Sequence, residues 1–213
     1  MMRKIIQKNA QLLALFAIAC TALIAFVDFL TKDIIIEQEQ QQLVLTLSSI
    51  IDPNKHDNSI TQTCIIVEDN QLGSSPQKAY LATNKNIPVA AAITTTAPDG
   101  YNGNIFLLVA INIDGTISGV RTIKHQETPG LGDKIELRKS QWILDFNGKE
   151  ILEEKDNRWA VAKDDGMFDQ FTGATITPRA VVNAVKRTTM YFNQHKAQLF
   201  DATQNCLENM DNS

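Results

Sequence analysis

The side chain best placed to do chemistry in this chain is the hydroxyl of Thr175, beside a predicted helix start. It lies within the stretch Asp169-Gln170-Phe171-Thr172-Gly173-Ala174-Thr175-Ile176-Thr177-Pro178. Thr177-Pro178 is typical of a helix N-terminus, because threonine caps free amides and proline there loses no hydrogen bond that the helix needs. Gly173 and Ala174 leave Thr175 on a thin, accessible turn just before that cap. The free amides and the positive end of the helix dipole favour an anion, so a phosphate ester on Thr175 would suit this position. From these residues alone, an ordinary loop before a capped helix remains the simpler interpretation.

The same stretch contains the pattern Asp-x-x-Thr-Gly-Ala-Thr, from Asp169 to Thr175. This pattern resembles the signature at which a flavin transferase attaches FMN, through its phosphate, to the final threonine. It is similar to the FMN-binding domains of two membrane proteins, the G subunit of the Rnf (or Rsx) electron transport complex and the C subunit of the sodium-pumping NADH:quinone reductase. The resemblance implies covalent FMN on Thr175 and recognition of Asp169 by the transferase. The neighbouring residues that it assigns to the cofactor are Thr172, Gly173, Ala174 and Thr177.

A second loop, from His125 to Gly132, contains one proline and two glycines, a shaped backbone that can lie against a flat ring. On its own it is more simply a turn into a helix. Its sequence Glu-Thr-Pro-Gly-Leu-Gly matches the second signature of the same domains. The resemblance implies that Glu127, Thr128, Leu131 and Gly132 line the flavin. We expect His125 to be structural or solvated, and we do not assign Tyr101 to the cofactor.

The composition and charge of the chain argue against several classes of protein. Of the 213 residues, 44% are hydrophobic and 21% charged, so the chain can bury a core and is not disordered. The net charge is -4 and no basic patch is visible, which argues against a nucleic-acid partner. The cysteines Cys20, Cys64 and Cys206 lie far apart without metal-ligand spacing, so we expect no metal site. No nucleophile–base pair or nicotinamide fingerprint is visible, and we assign no catalytic side chain.

A basic segment followed by an apolar run predicts one membrane span. Residues 1–8 carry basic side chains and no acid, and residues 9–30 approach the roughly 20 apolar residues that a spanning helix needs. The basic end should stay in the cytoplasm. With the resemblance, this predicts a single-pass protein of the bacterial inner membrane whose FMN domain is periplasmic. A cleaved signal peptide has a shorter apolar region, and a lipoprotein signal ending at Ala19-Cys20 would cut the run in its middle.

The rest of the chain predicts an α+β fold with an antiparallel sheet and packed helices. We expect a helical connector over 31–58, the FMN-binding domain over 59–200 and a tail over 201–213. Strands are predicted over 60–68, 78–83, 88–96, 105–113, 116–123 and 157–164, with helices over about 133–145 and 178–198. Turns are predicted at 97–100 and at Asp114-Gly115, the clearest hairpin signal of the chain.

By resemblance, the chain is a membrane-anchored flavoprotein component of a translocase that couples electron transfer between NADH and ferredoxin to ion transport. It would act as a relay without turnover of its own, with the other subunits of the complex and a flavin transferase as partners. Two other classes stay open: a stand-alone membrane-anchored flavin reductase, and an anchored binding module without redox chemistry. In this topology Cys64 and Cys206 lie outside the membrane, where disulfides persist, so a bridge between them is a hypothesis alongside two free thiols.

Overall fold

The computed structural model of the chain describes residues 2–153, 155–203 and 206, and the side chains from residue 6 onward. Its residues group into two compact units, Met1–Val44 and Leu45–Ser213. The predicted tail, 201–213, lies mostly outside the described residues.

The first unit is helical. Helix α1, Met2–Ile50, is 49 residues long, and its last turns belong to the second unit. From Ile6 onward it is long and apolar enough to cross a membrane, and its large apolar side chains between Leu12 and Leu30 are exposed. The predicted apolar helix at the N-terminus is therefore present.

The second unit is built on an antiparallel sheet of five strands in the order β1-β2-β3-β4-β5. The strands are β1 (Cys64–Val67), β2 (Gln77–Asn84), β3 (Ile87–Gly100), β4 (Gly103–Asn112) and β5 (Ile117–Lys124). Helix α2, Ile176–Asp201, packs on β3 and β4. The predicted α+β class is confirmed, and so is the hairpin at Asp114-Gly115, which pairs Ile111 with Ile117.

Both faces of the sheet are buried. One face packs under α2, where Ile93, Val109 and Val185 are fully buried. The other face has small residues where the end of α1 approaches. A Cβ placed on Gly119 would lie 2.8 Å from Cγ2 of Ile50, and the Ser118 hydroxyl donates a hydrogen bond to the Ile50 carbonyl. The end of α1 therefore forms part of the domain that carries the sheet.

The helix predicted over 133–145 is wrong. Two 3₁₀ helices, Gly132–Ile135 and Gln141–Phe146, occupy this region. The Ser140 side chain accepts a hydrogen bond from the backbone N–H of Trp142 and starts the second one. Hydrogen bonding by serine with the local backbone competes with a continuous helix, and burial of Trp142, Ile143 and Phe146 fixes the alternative.

Two further elements differ from the prediction. The turn expected at 97–100 is wrong, because β3 continues to Gly100 with a register shift after Ala97, and Gly100 pairs with Gly103. A register shift of this kind can accommodate a proline such as Pro98. The strand predicted over 157–164 is also wrong, because this stretch forms an isolated β-bridge between Val161 and Phe168 instead of a strand.

The helix predicted over 178–198 is present but begins earlier than residue 178. Its first residue is Ile176. Cys64 and Cys206 are joined by a disulfide in the structure, with Cα atoms 5.6 Å apart.

Candidate functional site

A cleft of about 240 Å³ brings the two signature loops together. The loops are far apart in sequence, and the sheet and α2 place them side by side. The lining residues are Tyr101, Glu127, Thr128, Leu131, Gly132, Gly173, Ala174, Thr175, Ile176 and Thr177. Every predicted cofactor-binding residue except Thr172 is among them.

Thr175 occupies the N-cap position of α2, and its side chain makes no capping hydrogen bond. It is half-buried, with Gly173 at a φ of +81° in the turn before it. That turn requires the left-handed conformation that glycine adopts freely. The first amides of a helix lack partners within the helix, so this end of α2 offers donors and a positive dipole beside the Thr175 hydroxyl.

Thr177 does not cap the helix, which corrects the assignment made from the sequence. Thr177 lies in the first turn, is 1% exposed, and donates its hydroxyl hydrogen bond to Oε2 of Glu127. The hydroxyl acts here as a donor, whereas a cap would use its oxygen to accept a backbone N–H. The hydroxyl therefore links α2 to the second loop, and the helix start moves upstream to Thr175.

The second loop is a compact turn around Thr128. The Thr128 carbonyl accepts backbone N–H hydrogen bonds from Leu131 at 3.2 Å and Gly132 at 3.0 Å. Oε1 of Glu127 accepts from the backbone N–H of Asn102 at 3.1 Å. A Cβ on Gly132 would lie 2.8 Å from Oγ1 of Thr177, so a larger residue there would push the loop away from α2.

His125 holds the base of this loop. Its Nδ1 accepts the backbone N–H of Glu127 at 3.0 Å, and its Nε2 lies 2.8 Å from Oε1 of Glu136. An Nδ1 that accepts leaves the ring hydrogen on Nε2, which donates to the carboxylate. The pKa of Glu136 is lowered, first by the hydrogen bond from Arg138 and also by that from His125. Nothing in the sequence identified Glu136 as the partner of His125.

Asp169 and Thr172 lie outside the cleft lining, and both are exposed. The Asp169 carbonyl accepts the indole N–H of Trp142 at 2.8 Å, and the Trp142 ring meets Phe171 edge-on with centroids 5.0 Å apart. Trp142 therefore anchors the signature loop to the core.

Two lining residues, Tyr101 and Ile176, were not predicted from the sequence, and they are 63% and 46% exposed. Tyr101 had a signal, since its Gly-Tyr-Asn-Gly turn precedes the hairpin that leads into the second loop. No signal in the sequence pointed to Ile176, because the helix was expected to start after it, at Thr177-Pro178.

The chemistry of the cleft fits FMN. The N-terminus of α2 suits a phosphate group, and the exposed side chains of Tyr101, Leu131 and Ile176 suit a flat aromatic ring. Gly132 and Gly173 keep the two loops thin where they meet. Within the described residues, no group of three or more histidine, cysteine or acidic residues is placed to hold a metal ion.

Comparisons with known proteins identify the family. Residues 100–189 match the model of the FMN-binding domain, and residues 1–50 match that of the RnfG N-terminal region. A Shewanella piezotolerans protein, named as the G subunit of an ion-translocating oxidoreductase complex, is 55% identical over 207 residues, which are 96% of this chain and 98% of that protein. The chain belongs to this family of G subunits. A Vibrio cholerae serotype O1 member of the same name is 52% identical over 202 residues, 94% of this chain and 97% of its own.

The match to the FMN-binding domain contains both loops of the cleft and the first half of α2. The similarity found on two short motifs thus extends over almost the whole chain.

Proposed function

We propose that the chain is the membrane-anchored electron-transfer subunit of an ion-translocating oxidoreductase complex, with FMN linked through its phosphate to Thr175. The observation that carries the proposal is the position of Thr175. Its hydroxyl lies on the cleft at the N-terminus of α2 and makes no capping hydrogen bond. The hydroxyl is therefore available for an ester, and the helix end suits the phosphate of that ester.

Bound FMN would supply reversible electron transfer by its ring, and linkage through the phosphate leaves that ring unmodified. The residues of the chain hold and orient it. The first amides of α2 would donate to the phosphate, while Leu131 and Ile176 would cover part of the ring. Tyr101 would contribute an aromatic contact from the β3–β4 turn.

The size of the cleft suits a relay. Pockets that enclose a drug-sized ligand measure about 300–1,000 Å³, and this cleft measures about 240 Å³. FMN would accordingly be covered only in part, and the outer part of its ring would remain open to a redox partner. We infer that electrons enter and leave through that open side, between NADH and ferredoxin by way of the other subunits.

The apolar part of α1 would anchor the chain in the inner membrane, with the basic N-terminus in the cytoplasm and the FMN domain in the periplasm. A flavin transferase would recognise the exposed Asp169 and Thr172 before it modifies Thr175.

The test uses the full chain, expressed with a flavin transferase, denatured and examined for flavin fluorescence on a gel. Thr175→Val removes the hydroxyl without changing side-chain size and should abolish the fluorescent band. Thr175→Ser is the matched control, since it restores the oxygen, and it should retain the band. Equal fluorescence in Thr175→Val would place the linkage elsewhere, and absence of flavin from the exported parent protein would favour the non-redox binding module.

A further inference from the structure

The inner wall of the cleft contains a buried carboxylate with no basic partner. Glu127 is 4% exposed, and it takes part in none of the ion pairs formed by the described residues. Its two hydrogen-bond partners, the Asn102 backbone N–H and the Thr177 hydroxyl, both donate to it. Buried glutamates are rare unless they are paired with a cation, because desolvation of the charge is costly.

The site is shaped to hold this group. A Cβ on Gly100 would lie 2.9 Å from Oε1, and a Cβ on Gly132 would lie 2.9 Å from Oε2. The carboxylate therefore fits between Gly100 and Gly132, where a larger residue would collide with it. The N-terminus of α2, where Thr177 sits in the first turn, adds a favourable dipole.

Tethering the loop to the helix does not by itself require a charge. A glutamine of the same length could accept from Asn102 through its amide oxygen and still hydrogen-bond to the Thr177 hydroxyl. A charged group at this place has an additional consequence, because it lies on the wall of the cleft that would hold the cofactor.

We infer that Glu127 is a positioning residue whose negative charge lowers the reduction potential of the FMN, an inference that rests on the function proposed above. Reduction brings electrons, and hence negative charge, onto the ring. A fixed negative charge in a partly desolvated wall disfavours that change more strongly than it would in water. The charge of Glu127 thus makes the flavin a stronger electron donor, while its hydrogen bonds keep the two loops together.

The experiment measures the midpoint potential of the full-length, flavin-loaded protein in detergent, for the parent and three variants. Glu127→Gln keeps the shape and removes the charge. We expect a tenfold shift of the redox equilibrium toward reduced FMN. For a two-electron couple this shift raises the midpoint potential by about 30 mV. Glu127→Asp keeps the charge and should stay closer to the parent potential.

Thr188→Val provides the structural control, since it removes a buried hydroxyl of α2 that lies outside the cleft lining and donates to the Ala184 carbonyl of the same helix. It should leave the potential at the parent value. An unchanged potential in fully loaded Glu127→Gln would overturn the inference. So would loss of flavin from Glu127→Gln, which would assign the carboxylate to cofactor loading. A parent protein that carries no flavin would instead refute the proposed function, and flavin content is therefore measured first.

Discussion

Glu127 and Thr177 join the two signature loops through one buried hydrogen bond. The Thr177 side chain is 1% exposed and its acceptor is a carboxylate that is 4% exposed. Both groups are almost wholly shielded from water, which limits water as a replacement partner. A buried acceptor that loses its donor retains the full cost of desolvation, typically about 1–3 kcal/mol.

We therefore expect Thr177→Val to destabilise the domain by about 1–3 kcal/mol, because it leaves Oε2 of Glu127 without its donor. A domain of 150–250 residues loses about 2–4 °C of melting temperature per kcal/mol. Thr188→Val is the matched control on the same helix. Thr188 is equally buried, but its hydroxyl donates to the Ala184 carbonyl within α2. Thermal melts that show equal losses for both variants would contradict this role of Thr177.

At the residue scale, most of the cleft lining was predicted through the family resemblance of the two signatures, since the residues alone favoured an ordinary turn in each loop. The partner of Thr177 was not predictable, because Glu127 comes from a distant loop. The local pattern indicated a helix cap at Thr177, but α2 begins at Ile176, so Thr177 lies inside the first turn and its hydroxyl donates to a carboxylate from another loop. Tyr101 and Ile176 join the cleft for the same reason: their places depend on the β3–β4 turn and on where α2 begins.

The segment between the second 3₁₀ helix and the signature loop has little regular structure, and Asp156 holds part of it. Its carboxylate accepts from the Arg158 side chain at 2.6 and 2.9 Å, and its carbonyl accepts from Lys186 of α2 at 2.8 Å. Hydrogen bonding by Arg158 lowers the pKa of Asp156 to about 2. The charged carboxylate is therefore favoured in the folded state.

The lowered pKa of Asp156 makes the stability of the folded domain depend on pH. The depressed pKa of Asp156 contributes stability above its ordinary value of 3.8, and the contribution is lost as the pH falls toward about 2. Asp156→Asn should thus melt below the parent at neutral pH, with a difference that shrinks between about pH 4 and 2. Arg158→Gln removes the same pair from the other side and should show the same convergence. A melting difference that stays constant down to pH 2 would exclude the ion pair as its cause.

The elements were predictable where the local pattern and the tertiary environment agree. Alternating apolar residues and Asp114-Gly115 define the β4–β5 hairpin, and the structure contains it. Residues 133–145 had a helical pattern, yet their side chains reach the core from two 3₁₀ helices. The strand expected at 157–164 failed because its apolar residues join an aromatic cluster, in which Trp159 and Phe168 lie 5.3 Å apart.

At the scale of the whole molecule, the chain has two parts, a long apolar helix and a compact domain built on the sheet. The helix suits a membrane and the domain places both signature loops at one cleft. If the domain is exported, its cysteines meet an oxidising compartment. The proposed topology therefore makes a chemical prediction about Cys64 and Cys206.

We expect Cys64 and Cys206 to be bridged in the cell, since exported disulfides persist. Alkylation of the denatured full chain should label Cys20 alone without reductant and all three cysteines with it. Cys206→Ser should lower stability by about 2–4 kcal/mol, because the bridge closes a long loop between the edge strand β1 and the end of the chain. Full labelling without reductant would contradict the bridge.

The central claim is that Thr175 carries FMN, and peptide mapping of the native full-length protein tests it most directly. Trypsin should release residues 164–179, which contain Thr172, Thr175 and Thr177. We predict that this peptide is heavier by the mass of FMN less one water, and that fragmentation places the added mass on Thr175. An unmodified peptide from a folded, exported protein made with a flavin transferase, or added mass on another residue, would contradict the account.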